Sequence, residues 1–220
     1  MTTPPPDKPA DFTASDILSA DAWTGRSPKP VVGVDVVYTK IAVDFQNMRR
    51  DTVEECVRRN LELLRGATGS DCAFLASLNP EDGTVAEVQL ARSAFAQCRP
   101  EGLIGLPLDG FPWLKGRLEH LRLSELRDSS APRKEQAAEA ARFAELHIGS
   151  ALIVALHTQG KPAGFLGLAH AMPRGAWDVN LQLLMKLIGT SLATGLDRIR
   201  IEARLAKLEE RTNLFQAAAN

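Results

Sequence analysis

The chain has 220 residues, 45% of them hydrophobic, with 26 basic and 27 acidic side chains and a formal net charge of -1. That apolar content can bury one full core with length to spare, while a charge near zero supplies no basic field for a phosphate backbone, so no nucleic-acid partner is expected. The longest apolar run, around Ala151–Leu156, is far short of the roughly 20 residues that span a bilayer, and MTTPPPDKPA lacks the basic and apolar regions of a signal peptide; no membrane is expected and the location is read as cytoplasmic.

Six of the thirteen prolines fall in residues 1–30, which predicts a disordered leader with one short helical turn near Asp16–Trp23. PVVGVDVVYTKIAVDF (30–45) is rich in β-branched residues and alternates in places, which predicts an extended arm or strand over 31–46. From Asn47 to Arg65, Val53, Cys56, Val57, Leu61 and Leu64 recur at the spacing of an amphipathic helix. Asp51 and Glu54 have capping-box spacing, and Gly66 and Gly69 are expected to stop that helix. CAFLASL (72–78), the turn PEDG (80–83) and TVAEVQLARSAF (84–95) read as a hairpin. RPEGLIGLPLDG (99–110), with three glycines and two prolines, reads as loop.

Pro112 starts a short helix that runs to about Arg122, and a second helix is expected from Pro132 to Gly149. SALIVALH (150–157) and AGFLGLAH (163–170), joined by TQGKP, form a second hairpin whose continuous hydrophobicity suits the centre of a sheet. From Trp177 the helical period continues for about forty residues, against the 11 to 12 typical of globular helices. Leu181, Leu184, Ile188, Leu192, Leu196, Ile199 and Ala203 follow one stripe; Ile201, Leu205, Leu208, Thr212 and Phe215 follow a second, shifted in phase. The second stripe has no domain residues left to cover it, which predicts a homodimer through a coiled coil with a phase shift near residues 199–205.

The order of elements and two stretches resemble a GAF domain. FPWLKGRLEH (111–120) resembles the proline–tryptophan helix of GAF sensors in bacterial histidine kinases and cyclic-di-GMP enzymes. The stretch 148–177 is similar to the family's strand–turn–strand pattern through Ile148, Gly149, Ser150, Ala155, Leu156, Gly164, Gly167, Arg174 and Trp177. Ala155 stands where the family often has proline. The resemblance implies an α+β fold, a central antiparallel β-sheet flanked by helices, with the GAF sensor domain over 47–196 and a C-terminal signalling helix over 197–220. It implies a regulatory small-molecule-sensing module of a bacterial signal-transduction protein, with no catalysis of its own, upstream of a diguanylate cyclase, phosphodiesterase or kinase. A ligand-free dimerisation module and a cysteine-based redox enzyme are the alternatives.

Cys56, Cys72 and Cys98 are odd in number and widely spaced, against a disulfide framework or zinc cluster. A redox thiol must be partly exposed in an electropositive setting, and Cys98, beside Arg99, is the candidate. The histidines show no i, i+4 pair and no HExxH, so no metal is expected. Family members that bind a cyclic nucleotide carry an Asn–Lys–Phe–Asp–Glu constellation absent here, and no cysteine has the histidine neighbour common at bilin attachment. The sequence names no cofactor. A ligand pocket, if lined as such folds line theirs, is expected from Phe111, Trp113, Leu114, Leu118, His120, Phe143 and His147.

Overall fold

The computed structural model describes residues 34–120 and 123–218; the expected leader and its Asp16–Trp23 turn lie outside them. In chain order the elements are α1 (Val34–Asn47), α2 (Val53–Thr68), β1 (Cys72–Leu78), β2 (Val85–Arg92), α3 (Pro112–Glu119), β3 (Leu123–Leu126), α4 (Ala137–Glu145), β4 (Ser150–Thr158), β5 (Lys161–His170) and α5 (Val179–Ala218). The five strands form one antiparallel sheet in the order β2-β1-β5-β4-β3. The most continuously apolar hairpin supplies the central strand β5 and its neighbour β4, as its hydrophobicity requires of strands covered on both faces.

Side chains alternate along each strand and so divide between two cores. Ala73, Leu75, Leu152, Val154, Leu156, Leu166 and Leu168 face α1, α2 and the first half of α5. Phe74, Ala76, Ala151, Ile153, Ala155, Phe165 and Ala169 face the other way, under α3, α4 and the loop between β2 and α3. The turn from β4 to β5 needs left-handed backbone at both central positions, Gln159 (φ 52) and Gly160 (φ 75), which matches the sheet's twist.

The predicted arm over 31–46 is instead helix α1. Tyr38, Ile41, Ala42, Phe45 and Met48 are buried at intervals of three and four residues, and this period outweighs the β-branched content. α1 earns its helical form by lying along α5 in the first core. Gly195 on α5 permits the approach: a Cβ there would run into the Phe45 carbonyl oxygen and sit 2.7 Å from Met48 Cε.

Other boundaries move for local reasons. α2 begins at Val53 with Thr52 as N-cap and no side-chain cap, so the Asp51–Glu54 capping box does not form. Gly66 stays inside the helix, and Gly69 ends it in the left-handed conformation (φ 63). The loop over 99–110 contains two short 3-10 turns, Pro100–Leu103 and Leu108–Gly110. β3, an edge strand of four residues paired to β4, carries too short a pattern to be read from sequence.

The 40-residue α5 is the predicted long helix. Met185, Ile188 and Leu192 are buried in the first core, with Leu181, Leu184, Leu196 and Ile199 partly buried against it. Ile201 and Leu205 of the second stripe are 47% and 54% exposed, and Leu183 and Leu187 extend an exposed apolar line toward the helix start. The side chains of Thr212 and Phe215 fall outside the described residues.

Candidate functional site

The predicted pocket residues separate into two groups. Phe111, Leu114, Leu118 and Phe143 converge in the second core, each at most 1% exposed, with Trp113 partly buried beside them. Phe111 and Phe143 meet edge to face at 5.7 Å between ring centroids, and Phe74 and Phe165 do the same at 6.2 Å. These rings fill the face from which a pocket was expected. His120 and His147 are exposed: His120 folds back so that Nδ1 lies 2.8 Å from the Gly116 carbonyl, and His147 sits at φ 53 in the turn that leaves α4. Neither histidine joins the aromatic cluster.

Glu139 on α4 is fully buried among these residues, an unexpected position for a carboxylate in an alanine-rich helix. Its Oε1 accepts the backbone N–H of Trp113 and that of Leu114 (3.1 Å), two donors that the first turn of α3 leaves without helical partners. One turn on, Arg142 lies 5.4 Å from the centre of the Phe111 ring, and the missing side chain at Gly110 makes room for its guanidinium. Burial is the largest influence on Glu139 and raises its pKa; the N–H groups of Leu114 and Trp113 and the Arg142 charge act against it. A raised folded value contributes stability below the unfolded pKa of about 4.3 that is lost as pH rises through the folded pKa. Glu139→Gln, which keeps an acceptor oxygen without the charge, is therefore expected to flatten the pH dependence of stability above about pH 4. Glu139→Ala should cost about 1–3 kcal/mol by orphaning both donors. Urea midpoints measured from pH 4 to pH 8 check both.

Cys98 does not have the setting that a redox role needs. It is fully buried, and burial above all, with Cys72 and Asp71 nearby, pushes its thiol up to about 12. Cys72 is likewise pushed up to about 11 by burial, and Cys56 is raised for the same first cause. Thiols held protonated in this way are poor nucleophiles. The adjacent Arg99, which suggested Cys98 from sequence, spends its backbone N–H on the Leu146 carbonyl (2.8 Å).

At the opposite end of the sheet from the β4–β5 turn, His170 is buried against Trp177, 5.4 Å between rings, with Nε2 2.6 Å from Arg174 and Nδ1 3.8 Å from Asp71. Burial first, then Arg174, lowers its pKa, with Asp71 opposing. A neutral ring can accept from Arg174, which ties the approach to the last helix to the end of β5. The backbone N–H of Trp177 donates to Glu125 on β3 (2.8 Å), which also receives Arg127 and Arg133. No group of three His, Cys, Asp or Glu residues suited to a metal occurs among the described residues.

Open clefts lie around this filled interior, three of them beside the elements described above. A cleft of about 680 Å³ lies between α1, the end of α2 and the start of α5, lined by Tyr38, Thr68, Asp178 and Leu184. A polar one of about 290 Å³ runs beside β3 between Arg117, Glu125, Arg133 and Lys186. The third, also about 290 Å³, opens between the β1–β2 turn, α3 and the β4–β5 turn, with Leu78, Leu108 and Leu118 as its apolar floor. Of the predicted pocket residues only Leu118 reaches it. The turns PEDG and TQGKP, which supply much of its rim, read in sequence as connectors alone.

No family model matches the chain, and no curated protein matches it. Solved structures do. The phycoerythrobilin-bound GAF domain of a cyanobacterial phytochrome superposes with a TM-score of 0.62 at 16% identity, covering 78% of this chain and 98% of that one. A phycocyanobilin-bound GAF domain from a cyanobacterial phytochrome gives 0.62 at 17%, covering 78% and 97%. A far-red absorbing dark state with bound biliverdin IXa gives 0.58 at 14%, covering 74% and 99%. The likeness covers about three quarters of this chain and nearly all of each neighbour, and the fold of this chain is that of a GAF domain.

Proposed function

We propose that this chain is a regulatory, small-molecule-sensing GAF domain of a bacterial signal-transduction protein, located in the cytoplasm, which passes its state to an output domain through a dimeric C-terminal helix. It performs no catalysis itself. The observation that carries the reading is the division of labour along α5: one continuous helix packs its first half in the sheet's first core and presents Ile201 and Leu205 to solvent in its second. An apolar line of that kind is buried at low cost by a second copy in a parallel coiled coil. The solved neighbours hold bilins; for this chain we propose a ligand other than a covalently held bilin, because a thioether needs a reactive thiol and all three thiols are buried.

Sedimentation of the full chain at micromolar concentration is expected to give a dimer, and Ile201→Asp with Leu205→Asp is expected to give a monomer whose core melts as before. A wild-type monomer would sink the transmission reading.

A second reading, a dimerisation module without a ligand, is favoured by one observation: Phe111, Phe143, Leu114 and Leu118 occupy the face where a pocket was expected. A ligand of the native state must raise its melting temperature. Melting that is indifferent to a broad metabolite library would favour this reading, and one clear upward shift would remove it.

A further inference from the structure

We infer that the cleft between the β1–β2 turn, α3 and the β4–β5 turn is an effector site for a small zwitterion with an apolar body, an amino-acid-like compound, and that the β4–β5 turn relays its occupancy to α5. This deepens the sensing reading and rests on it.

The ligand class follows from which charges around the cleft are already engaged. Lys115 holds Asp109 at 2.7 Å. Asp82 spends its Oδ1 on the Thr84 N–H (2.8 Å) and hydroxyl (2.7 Å), bonds that stabilise its ionised form within its own turn. Two charges remain. Lys161 has no ion-pair partner among the described residues, and Glu119 reaches only Lys115, at 3.9 Å. One uncommitted cation and one nearly uncommitted anion thus flank a floor of Leu78, Leu108 and Leu118. A ligand with a carboxylate for Lys161, an ammonium for Glu119 and an apolar body between them satisfies all three. A purely anionic ligand would face three carboxylates against two ammonium groups, and a purely cationic one would leave Lys161 unanswered. The volume, about 290 Å³, is at the lower end for small-molecule sites, which favours a compound of amino-acid size.

The relay follows from what the same turn touches on its other side. Thr158 Oγ1 accepts from Arg200 Nη1 at 2.8 Å, and the Gln159 N–H donates to Asp197 Oδ2 at 3.1 Å. A cleft of about 240 Å³ lies beside these bonds, lined by Thr158, Gln159, Lys161 and Arg200, so the turn has open space next to α5. Asp197 and Arg200 lie where the apolar stripe of α5 changes phase. A ligand drawn against Lys161 therefore acts on a loop that is bonded to the output helix at that point, and it biases α5 by the difference in its affinity for the two turn positions.

The test is amide chemical-shift mapping of the full chain titrated with each of the twenty standard amino acids at millimolar concentration. For the tightest, the matched compounds lacking the amine or the carboxylate are added; for leucine these are 4-methylpentanoate and 3-methylbutylamine. The expected result is saturable movement of the Leu78, Gly83, Glu119 and Lys161 amides with one or more zwitterions. Asp197 and Arg200 should follow with the same midpoint, and both single-function analogues should bind at least tenfold more weakly. Lys161→Met and Glu119→Gln, both surface changes that leave the core intact, should each abolish the response. Cleft amides that stay fixed with all twenty compounds overturn the site; if another compound then raises the melting temperature and shifts amides elsewhere, the sensing reading stands without it. Cleft amides that move while Asp197 and Arg200 do not overturn the relay. Equal binding by an analogue overturns the zwitterion.

Discussion

Phe143→Ala is expected to lower stability by about 3–5 kcal/mol, the range for removing a large aromatic ring from a core that cannot collapse around the gap. Phe143 is 1% exposed and anchors α4, a nine-residue helix whose other buried residues are Ala140 and Glu139. Its partner Phe111 is 1% exposed, is the residue from which α3 starts and has Arg142 over its ring, which limits its movement into the void. Urea denaturation with matched slopes gives the loss. The same variant separates a filled core from a disguised pocket. An apolar cavity lined by Phe111, Leu114 and Leu118 should stay dry and take up benzene or indole, which should recover part of the loss. A cost below about 1 kcal/mol would mean a loosely filled face and would favour a pocket beneath α4.

The second large effect is expected at Gly195. Alanine is the better helix former by about 1 kcal/mol, yet Gly195→Ala should destabilise by about 1–3 kcal/mol, because the obstacle is the Phe45 carbonyl and backbone cannot rotate out of the way as a side chain does. The added methyl pushes α1 off α5, and Tyr38, Ile41 and Phe45 lose their cover together. Gly66→Ala in α2 is the control: a Cβ there meets nothing within 4 Å, and the change should stabilise by about 0.5–1 kcal/mol. Thermal melts of the two variants should move in opposite directions. If Gly195→Ala is neutral, α1 is held more loosely than its burial implies.

The contrast between what the sequence disclosed and what it concealed has physical causes. Both hairpins were legible because their strands are bounded by strong turn signals, and α5 because its period persists for so many turns. α1 was misread because Val34, Val36 and Val37 speak for a strand, while the helical period of Tyr38, Ile41 and Phe45 is decided by α5, nearly 150 positions away. β3 is held by pairing with β4 and by the reach of Glu125 to Trp177 and Arg133, none of which is local. Within the site, the apolar positions Phe111, Leu114, Leu118 and Phe143 converge because spacing fixes a helix face. His120 and His147 were drawn in by proximity in sequence alone; each falls just past a helix end, where the chain turns outward. Glu139 escaped notice since a carboxylate in an alanine-rich helix reads as solvated until the bare N–H groups of α3 are placed against it.

The unbroken length of α5 has a mechanical consequence. With a rise of about 1.5 Å per residue, the helix from Arg200 to Ala218 is a rod of about 27 Å running on from a fastening to the domain, the hydrogen bond of Arg200 to Thr158. A tilt of about 10° at that fastening carries the far end sideways by about 5 Å, roughly one helical turn's height. A displacement too small to disturb either core, applied near the fulcrum, arrives at the tip of the helix enlarged to about the height of a helical turn.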